Sequence, residues 1–416
     1  MNYYLQTFGC KSNQYESQGI REAMNAAGHA ECDGPGGADL YIINTCGVTG
    51  RAGASCRNAI RKALRANSRL RVVVTGCGVD LDERWPDAPA TPFLLVPNAR
   101  KHTIPALLAA TAEVPGSCGD RFGLSISRFH GHTRAFIKVQ DGCDNFCSYC
   151  AVPFARGAPE SRPRREILDE ARRLVDGGHA ELVLTGINIG AYRHGGADLA
   201  SLAASLATTP GLARLRLGSV EPPYLTEELV DAMAQNSAIC PHVHLPLQSG
   251  DDGVLAAMGR RYSVADFLEK VAMLKERLHL PSITTDVIVG FPGENAAAAA
   301  ASVETCRRAG LSRLHVFLFS ARPGTRAAAM RRTATDREVE ERKSRLIETG
   351  GELSLDYASA CVGMTERIIV EKSGGGLSDR YIKVNLEEDK GTPGQVLPIV
   401  ITGAGDDGLV GRPCRD

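Results

Sequence analysis

The sequence predicts an α/β protein in three parts: a small N-terminal parallel α/β domain, a central partial (β/α)6 barrel and a small C-terminal β-barrel. Strand-like apolar runs alternate with amphipathic helical stretches up to about residue 358, which is typical of parallel sheets. After about residue 360 the chain changes to short alternating strands with Gly-rich turns. With 416 residues, 43% of them hydrophobic, the chain is long enough for these domains, which we place at residues 1–112, 129–359 and 360–416.

The N-terminal domain is predicted from short apolar runs with helical stretches between or after them. The predicted strands are Tyr3–Phe8, Leu40–Asn44, Val72–Thr75 and Phe93–Val96. The predicted helical stretches are 14–27, 53–65 and 102–111. Residues 113–130 are rich in Gly, Ser and charge, and we interpret them as a linker.

The central domain repeats this alternation in longer units. Its predicted strands are Ala135–Val139, Leu182–Thr185, Leu215–Leu217, Val243–Leu247, Ile283–Val289 and Leu314–Phe319. Six β/α units are two fewer than a closed eightfold barrel contains, so we expect an open, partial barrel. A charged amphipathic helix over residues 336–358 closes this domain. The C-terminal barrel is predicted from the strands Arg367–Glu371, Tyr381–Val384 and Val396–Ile401.

Charge and composition limit the possible functions. Lys plus Arg and Asp plus Glu number 48 each, so a nucleic acid would have to be bound by local basic patches. The first ten residues, MNYYLQTFGC, lack the basic and apolar regions of a signal peptide, and no apolar run approaches the roughly 18 residues of a membrane span. We therefore expect a cytoplasmic protein whose thirteen cysteines are metal ligands, catalytic groups or buried side chains rather than disulfides.

Cys143, Cys147 and Cys150, here named the central trio, have the spacing C-x3-C-x2-C in a loop after the first predicted barrel strand. At this cysteine frequency such a spacing arises by chance with a probability of about 0.01. Soft thiolates favour zinc, copper(I) or iron–sulfur clusters. No Cys or His follows in the loop to complete a zinc site, whereas three thiolates on a four-iron cluster leave one iron open. We therefore favour an iron–sulfur cluster, with a zinc loop completed by a distant His as the alternative.

Cys10, Cys46 and Cys77, here named the N-terminal trio, each follow a predicted parallel strand. The C-terminal ends of such strands line one crevice, so the three thiols are expected to converge there. The adjacent glycines and asparagines leave room for a bulky inorganic group. We interpret this trio as the ligands of a second cluster, and buried core cysteines are the alternative.

Strings along nearly the whole chain resemble the radical S-adenosylmethionine methylthiotransferase family. The strings are Phe-Gly-Cys-Lys-Ser-Asn-Gln-Tyr-Glu from Phe8, Asn-Thr-Cys from Asn44, Gly-Cys from Gly76, Leu-Thr-Gly-Ile-Asn-Ile-Gly-Ala-Tyr from Leu184, His-Leu-Pro-Leu-Gln-Ser-Gly from His244, and Thr-Asp-Val-Ile-Val-Gly-Phe-Pro-Gly-Glu from Thr285. Gln-Tyr-Glu after Cys10, Gln140-Asp141-Gly142 and the segment 185–190 are most similar to the branch that acts on N6-threonylcarbamoyladenosine in tRNA.

The resemblance implies two [4Fe-4S] clusters, S-adenosylmethionine, and methylthiolation at C2 of N6-threonylcarbamoyladenosine at position 37, next to the anticodon. The central trio would hold the cluster that binds S-adenosylmethionine, and the N-terminal trio would hold an auxiliary cluster bearing the sulfur. Tyr149 matches the aromatic position near the adenine of the cofactor. The other implied cofactor-binding residues are Gly186, Ser219 and Gln248, within the stretches 186–188, 216–219 and 244–248.

The implied partners are tRNA, a flavodoxin- or ferredoxin-like electron donor and a sulfur donor that the sequence does not identify. Alternative substrates are N6-isopentenyladenosine in tRNA and an aspartate of a ribosomal protein. A non-enzymatic iron–sulfur protein that binds RNA is the alternative from another class. Asp286 or Glu294 could be acid–base groups, although a capped turn between a strand and a helix explains both equally well.

Arginines near the mouth of the barrel are expected to bind RNA phosphate and to stack on bases, with a solvated helix face as the alternative. The candidates are Arg156, Arg162, Arg164, Arg165, Arg260 and Arg261. We expect the salt dependence of tRNA binding to reside in residues 156–165. The C-terminal domain resembles the TRAM RNA-binding barrel, but residues 361–416 contain seven Lys/Arg against nine Asp/Glu. That balance disfavours RNA as a partner, so this domain is expected to bind RNA through shape and a few residues or to brace the core.

Overall fold

The computed structural model describes residues 1–81, 85, 93–109, 120–371, 374–387 and 391–414, and it has the predicted fold class. A parallel sheet is followed by a partial barrel of β/α units and then by a closed β-barrel. The predicted end of the first domain at residue 112 and the first part of the predicted linker, 113–119, lie outside the described residues.

The N-terminal domain is a parallel sheet with helices on both faces. Its elements are β1 (Asn2–Thr7), α1 (Lys11–Ala26), β2 (Ala30–Glu31), β3 (Leu40–Thr45), α2 (Gly50–Ala66), β4 (Arg71–Gly76), α3 (Cys77–Asp80), β5 (Phe93–Val96) and α4 (Ile104–Ala109). Its described strands lie in the order β2-β1-β3-β4-β5, and all of their pairings are parallel. Every residue of β3 is buried because this strand lies in the middle of the sheet between two apolar clusters.

The central domain is a partial barrel. Its elements are β6 (Arg134–Lys138), β7 (Gln140–Asp141), α5 (Val152–Arg156), β8 (Glu160–Ser161), α6 (Arg164–Asp176), β9 (Glu181–Thr185), β10 (Arg193–His194), β11 (Ala197–Asp198), α7 (Leu199–Ala207), β12 (Arg214–Arg216), α8 (Glu227–Gln235), β13 (His242–His244), α9 (Asp252–Met258), α10 (Val264–Arg277), β14 (Ser282–Val289), α11 (Ala296–Ala309), β15 (Arg313–Leu318) and α12 (Asp336–Ala360). Strands β6, β9 and β12 form one parallel run and β13, β14 and β15 form another. Parallel bridges from Leu215 to Ile239 and from Ser219 to His244 connect the two runs. The largest apolar core packs these strands against their helices.

The C-terminal domain is a closed barrel on the last turns of α12. Its elements are β16 (Thr365–Val370), β17 (Gly375–Ser378), β18 (Lys383–Leu386), β19 (Val396–Gly405) and β20 (Gly408–Pro413). Within the described part of the chain its strands close in the order β16-β17-β18-β20-β19. Tyr357 and Cys361 at the end of α12 belong to the same apolar cluster as the barrel interior.

Buried arginines of β12 join the C-terminal barrel to the central domain. Arg214 donates from Nη1 to the carbonyl oxygens of Arg367 and Leu377 at 2.7 and 2.9 Å, and from Nε to Glu181 at 2.7 Å. Both Arg214 and Glu181 have no exposed side-chain surface. Bracing of the core by the C-terminal barrel, one of the two expectations for this domain, is therefore present in the structure.

Arg216 contributes to the same interface, which contradicts its predicted place in a cofactor-binding stretch. Its guanidinium is paired with Glu181 at 2.9 Å and donates to the carbonyl oxygen of Asp379 at 2.9 Å. It also lies over the ring of Tyr381, 4.9 Å from the centroid. The guanidinium of Arg216 therefore packs against the turn between β17 and β18.

No described helix is both long enough and apolar enough to cross a membrane.

Candidate active site

The loop of the central trio leaves the barrel through a glycine with a left-handed backbone. Gly142 has φ +74°, and a Cβ there would lie 2.1 Å from the carbonyl oxygen of Ala158. The next residue, Cys143, donates its N–H to the carbonyl oxygen of Gly157 at 3.0 Å. The loop is therefore closed against the chain that follows α5, and only glycine fits at its first position.

Gln140 connects this loop to the neighbouring strand end. Its Oε1 accepts the N–H groups of Ile187 and Asn188 at 3.1 and 2.7 Å. Its Nε2 donates to the carbonyl oxygens of Asp141 and Gly142 at 2.9 and 2.7 Å. One buried amide thus fixes the backbone on both sides of the barrel mouth.

The sulfurs of the central trio lie in a partly buried environment beside a cation. The Nη1 of Arg260 donates to Cys147 Sγ at 3.1 Å, and the N–H of Asn145 donates to Cys143 Sγ at 3.5 Å. Burial, together with the neighbouring thiols of Cys147 and Cys143, raises the pKa of Cys150 to about 12. Three thiolates crowded together require a cationic group, which an iron–sulfur core supplies.

The N-terminal trio occupies the ends of three adjacent strands, as predicted. Cys10 lies just beyond the end of β1, at the start of α1, Cys46 follows β3 directly, and Cys77 follows β4 directly. Burial raises the pKa of Cys46 to about 11, and the thiols of Cys77 and Cys10 contribute to this shift. Gly9, with φ +108°, approaches so closely that a Cβ there would lie 3.2 Å from Cys46 Sγ.

Both trios fit a polynuclear core better than a single metal ion. A zinc ion with bonds of about 2.3 Å brings its sulfur ligands to about 3.8 Å from one another. Among the described residues, no set of three metal-binding side chains with donor atoms within 4.8 Å of one another includes a cysteine of either trio. The zinc loop completed by a distant His is therefore disfavoured, and the all-thiol donor sets suit iron–sulfur clusters.

Three of the arginines predicted to bind RNA are buried, and for them the prediction is wrong. Arg156 has 0% of its side chain exposed and binds Glu16 and Asp141. Arg162 is paired with buried Glu170, and Arg260 is almost fully buried beside the central trio. Each side chain has its charge compensated inside the protein, so none can reach phosphate.

The remaining predicted arginines lie at the surface. Arg165 has 94% of its side chain exposed and forms a long ion pair with Asp169 at 3.8 Å. Arg164, also exposed, donates to Ser205. Arg261 is exposed and donates to the carbonyl oxygen of Asp144, inside the loop of the central trio, at 3.2 Å.

The predicted cofactor-binding residues differ in their surroundings. Tyr149 packs with Phe291, with ring centroids 6.4 Å apart, in a small apolar cluster next to the loop. A Cβ on Gly186 would lie 2.7 Å from the carbonyl oxygen of Gln140, so packing alone requires a small residue there. Ser219 is exposed.

Gln248 has the strained backbone that is common at functional sites. Its φ is +66°, and its carbonyl oxygen accepts the N–H of Ile288 from β14 at 2.9 Å. A non-glycine residue adopts this conformation only where its surroundings enforce it. The backbone of Gln248 is thus fixed against β14.

Asp286 on β14 lies between two imidazoles, one from each of the neighbouring strands β13 and β15. His244 Nε2 and His315 Nδ1 each lie 3.2 Å from its carboxylate oxygens, and His244 Nδ1 contacts Thr284 Oγ1 at 2.9 Å. Burial raises the pKa of Asp286, but the two histidines hold it well below its usual value. Asp286 is therefore not a turn cap, and His315 was not predicted because a lone histidine within a strand has no distinguishing spacing.

Glu294 is the other carboxylate for which the sequence allowed either an acid–base role or a structural role in a turn. It accepts the N–H of Gly290 at 2.8 Å and is paired with Arg342 at 3.2 Å. These contacts fix the turn between β14 and α11, so Glu294 has the role of a turn cap rather than that of an acid–base group.

Two exposed aromatic rings next to the central trio were missed. Phe146, between the first two cysteines of the trio, has φ +45° and is 51% exposed. Its ring meets the ring of Phe154, which is 56% exposed, with centroids 5.8 Å apart. The exposed Arg326 donates to the carbonyl oxygen of Phe146 at 3.0 Å. Only the fold shows that these residues share one rim with Arg261.

Comparison with known proteins gives matches along most of the chain. Residues 137–306 match the model of the radical SAM superfamily, and residues 2–85 match that of uncharacterized protein family UPF0004. A Chlamydia pneumoniae protein named threonylcarbamoyladenosine tRNA methylthiotransferase MtaB is 38% identical, over 92% of this chain and 91% of its own length. The protein of the same name from Thermotoga maritima is 35% identical, over 88% and 86%.

Two further matches extend the comparison. A Solibacter usitatus protein named tRNA-2-methylthio-N(6)-dimethylallyladenosine synthase is 31% identical, over 99% of this chain and 97% of its own length. The solved structure of the radical S-adenosylmethionine methyltransferase TsrM from Kitasatospora setae superposes with a TM-score of 0.57 and 16% identity, over 87% of this chain and 77% of that one, and supports the fold alone. The chain belongs to the radical S-adenosylmethionine tRNA methylthiotransferase family, enzymes that transfer a sulfur-containing group in tRNA modification.

Proposed function

We propose that this enzyme replaces the C2 hydrogen of N6-threonylcarbamoyladenosine at position 37 of tRNA, next to the anticodon, with a methylthio group. The observation that supports this most is identity of 35 to 38% with relatives named for that nucleoside, in a chain that places a cysteine trio at each of two strand-end sites. The C2 carbon is unactivated toward polar substitution, so radical chemistry suits the reaction.

The two trios would hold the two cofactors of this reaction. The central trio would bind a [4Fe-4S] cluster with S-adenosylmethionine, and the N-terminal trio a second [4Fe-4S] cluster. When bound, these groups supply the hydrogen-abstracting radical and the sulfur. Gln140 would position the loop of the central trio and the neighbouring strand end through its hydrogen bonds to the backbone. Gln248 would contribute through its own fixed backbone. Ser219 and Tyr149 stay candidates for cofactor contacts.

The rim of the central trio is the surface that we propose for RNA. Phe146 and Phe154 expose ring faces on which an unstacked base can pack. Arg261 and Arg326 are exposed and bound to the loop backbone, so their charges lie beside those rings. Of the basic side chains in the C-terminal barrel, Arg367 and Arg380 instead bind carbonyl oxygens of the central domain.

Mass spectrometry of tRNA nucleosides tests the substrate. The chromosomal gene is deleted and the protein is then expressed from a plasmid in that strain. We expect the methylthio form of N6-threonylcarbamoyladenosine to appear in the strain that carries the plasmid. A Cys77→Ala variant should leave the nucleoside without its methylthio group.

A second candidate is the isopentenylated adenosine, favoured by the relative named for the dimethylallyl nucleoside. Methylthiolation of that nucleoside in place of the threonylcarbamoyl one would contradict our proposal. A modified ribosomal-protein aspartate with unchanged tRNA would also contradict it. Absence of S-adenosylmethionine cleavage after anaerobic reduction would favour the non-enzymatic alternative.

A further inference from the structure

Arg156 lies where the two cysteine sites meet. It is the last residue of α5, the helix that begins two residues after Cys150. That helix packs against α3, whose first residue is Cys77. A side chain from the central domain is therefore placed against a thiol of the N-terminal trio.

The guanidinium of Arg156 is held from both domains. Its Nε donates to Cys77 Sγ at 3.3 Å, and its Nη2 donates to Asn13 Oδ1 at 2.6 Å. Its Nη1 donates to Glu16 at 2.8 Å and to Asp141 at 3.0 Å. This planar, multiply bonded arrangement is one that lysine cannot reproduce.

The next residue contacts the other trio. The carbonyl oxygen of Gly157 accepts the N–H of Cys143 at 3.0 Å. Two consecutive residues therefore contact the two trios: Arg156 contacts a sulfur of the N-terminal trio, and Gly157 positions the first cysteine of the central trio.

Arg156 belongs to a buried group of charged side chains beside Cys77. Among the described residues, ion pairs join Glu16 and Asp141 to Lys101, Lys138 and Arg156. Asp80 is a further carboxylate within electrostatic range of Lys101 and Arg156. The carboxylates of Glu16 and Asp141 accept from the two terminal nitrogens of Arg156, whereas its Nε is directed at Cys77 Sγ.

We propose that Arg156 is a positioning residue for the N-terminal trio: its N–H bond fixes the sulfur of Cys77, and this bond and the nearby guanidinium charge raise the reduction potential of the cluster there. This inference rests on the proposed cluster at that trio. Hydrogen bonds to ligand sulfurs and nearby positive charge both stabilise the reduced, more negative cluster.

The test uses the full chain with Cys143→Ala, Cys147→Ala and Cys150→Ala, so that only the N-terminal cluster gives a signal. After anaerobic reconstitution, its midpoint potential is measured by titration with electron paramagnetic resonance detection. We expect a shift to more negative potential in Arg156→Gln and a smaller negative shift in Arg156→Lys. Arg260→Gln is the matched control because Arg260 contacts a sulfur of the other trio, and it should leave the midpoint unchanged.

Iron content and denaturant unfolding separate the outcomes. Loss of iron from a variant that unfolds like its parent supports the inference, since the site then fails without the arginine. If Arg156→Gln does not fold, Arg156→Lys, which keeps the buried charge, decides. Bound iron with the parental midpoint in the folded Arg156 variants overturns the inference while leaving the cluster proposal intact. A parent with no iron overturns both.

Discussion

At the scale of single residues, Gly142 determines whether the loop of the central trio can form. Its φ of +74° lies in the left-handed region, and a Cβ would meet the carbonyl oxygens of Ala158 at 2.1 Å and Gly157 at 2.7 Å. Backbone atoms at such distances cannot move aside without opening the loop. The carbonyl oxygen of Gly157 also accepts the N–H of Cys143 and so positions that residue.

We predict that Gly142→Ala lowers the free energy of unfolding and removes the iron of the central trio. Left-handed strain alone costs about 1–2 kcal/mol, and the collision adds about 1–3 kcal/mol. Gly131→Ala is the matched control, since Gly131 has φ +77° and no atom near its Cβ position. Denaturant unfolding and iron analysis measure both effects, and equal losses in the two variants would contradict the collision argument.

The arginines show where residue-level prediction from sequence ends. Cysteine spacing singled out the central trio, and position at the ends of predicted strands singled out the N-terminal trio; their role as cluster ligands stays a prediction. In the sequence, Arg156 and Arg162 belong to a basic segment after the central trio that looks like an exposed surface. Their burial depends on ion pairs with Glu16 and Glu170. Glu16 lies 140 residues from Arg156 in sequence, so no local pattern distinguishes a buried arginine from one that binds RNA.

At the scale of elements, strands β9 and β12 form a charged interface with the C-terminal barrel. Burial raises the pKa of Glu181, but Arg216 and Arg214 lower it to about 2. The folded-state pKa is therefore depressed, so the stabilisation is complete above the unfolded value of about 4.3 and is lost as pH falls toward about 2.

We predict that Glu181→Gln lowers the free energy of unfolding by about 3–5 kcal/mol at neutral pH, because two buried guanidinium groups lose their counter-ion. The variant should also lose part of the stability change between about pH 4.3 and pH 2. Glu341→Gln, in an exposed pair with Arg337, is the control and should change stability by less than about 1 kcal/mol. An unchanged acid dependence in Glu181→Gln would refute this assignment.

Strand positions followed from apolar periodicity, and the errors have physical causes. Val243–Leu247 was predicted as one strand but ends at His244, because the chain bends toward the positive φ of Gln248. Tyr381 was placed in a strand but occupies the turn before β18, with φ +63°. Strands β17 and β20 were not predicted, since each begins at glycine and has few apolar residues.

At the scale of the whole molecule, Arg156, Arg162 and Arg260 are buried, while Arg261, another of the predicted RNA-binding arginines, is exposed at the rim that we propose for RNA. The overall arrangement followed from motifs distributed along the chain. Arg261 was among the predicted arginines, but its grouping with Arg326, Phe146 and Phe154 was not predicted, because both arginines lie far in sequence from the loop whose carbonyl groups they bind. The salt dependence of binding is therefore expected at the rim, not at the buried arginines of residues 156–165.

We predict that Arg261→Gln combined with Arg326→Gln weakens tRNA binding and reduces the slope of log K against log[salt] by about 1.4, from two phosphate contacts at about 0.7 each. The control is Arg337→Gln combined with Arg345→Gln on the exposed face of α12, which should leave the slope unchanged. Filter binding across a salt series gives both slopes. Equal slopes for the rim variant and the wild type would place the RNA elsewhere.

Iron and sulfide analysis of anaerobically reconstituted protein tests the two-cluster account most directly. The proteins to compare are the wild type, one variant with alanine at the central trio, one with alanine at the N-terminal trio, and Cys306→Ala as a control at a buried cysteine outside both trios. Two independent clusters predict that each trio variant keeps about half of the wild-type iron and that the control keeps all of it. Full iron content in either trio variant, or complete loss in one of them, would contradict two separate three-cysteine sites.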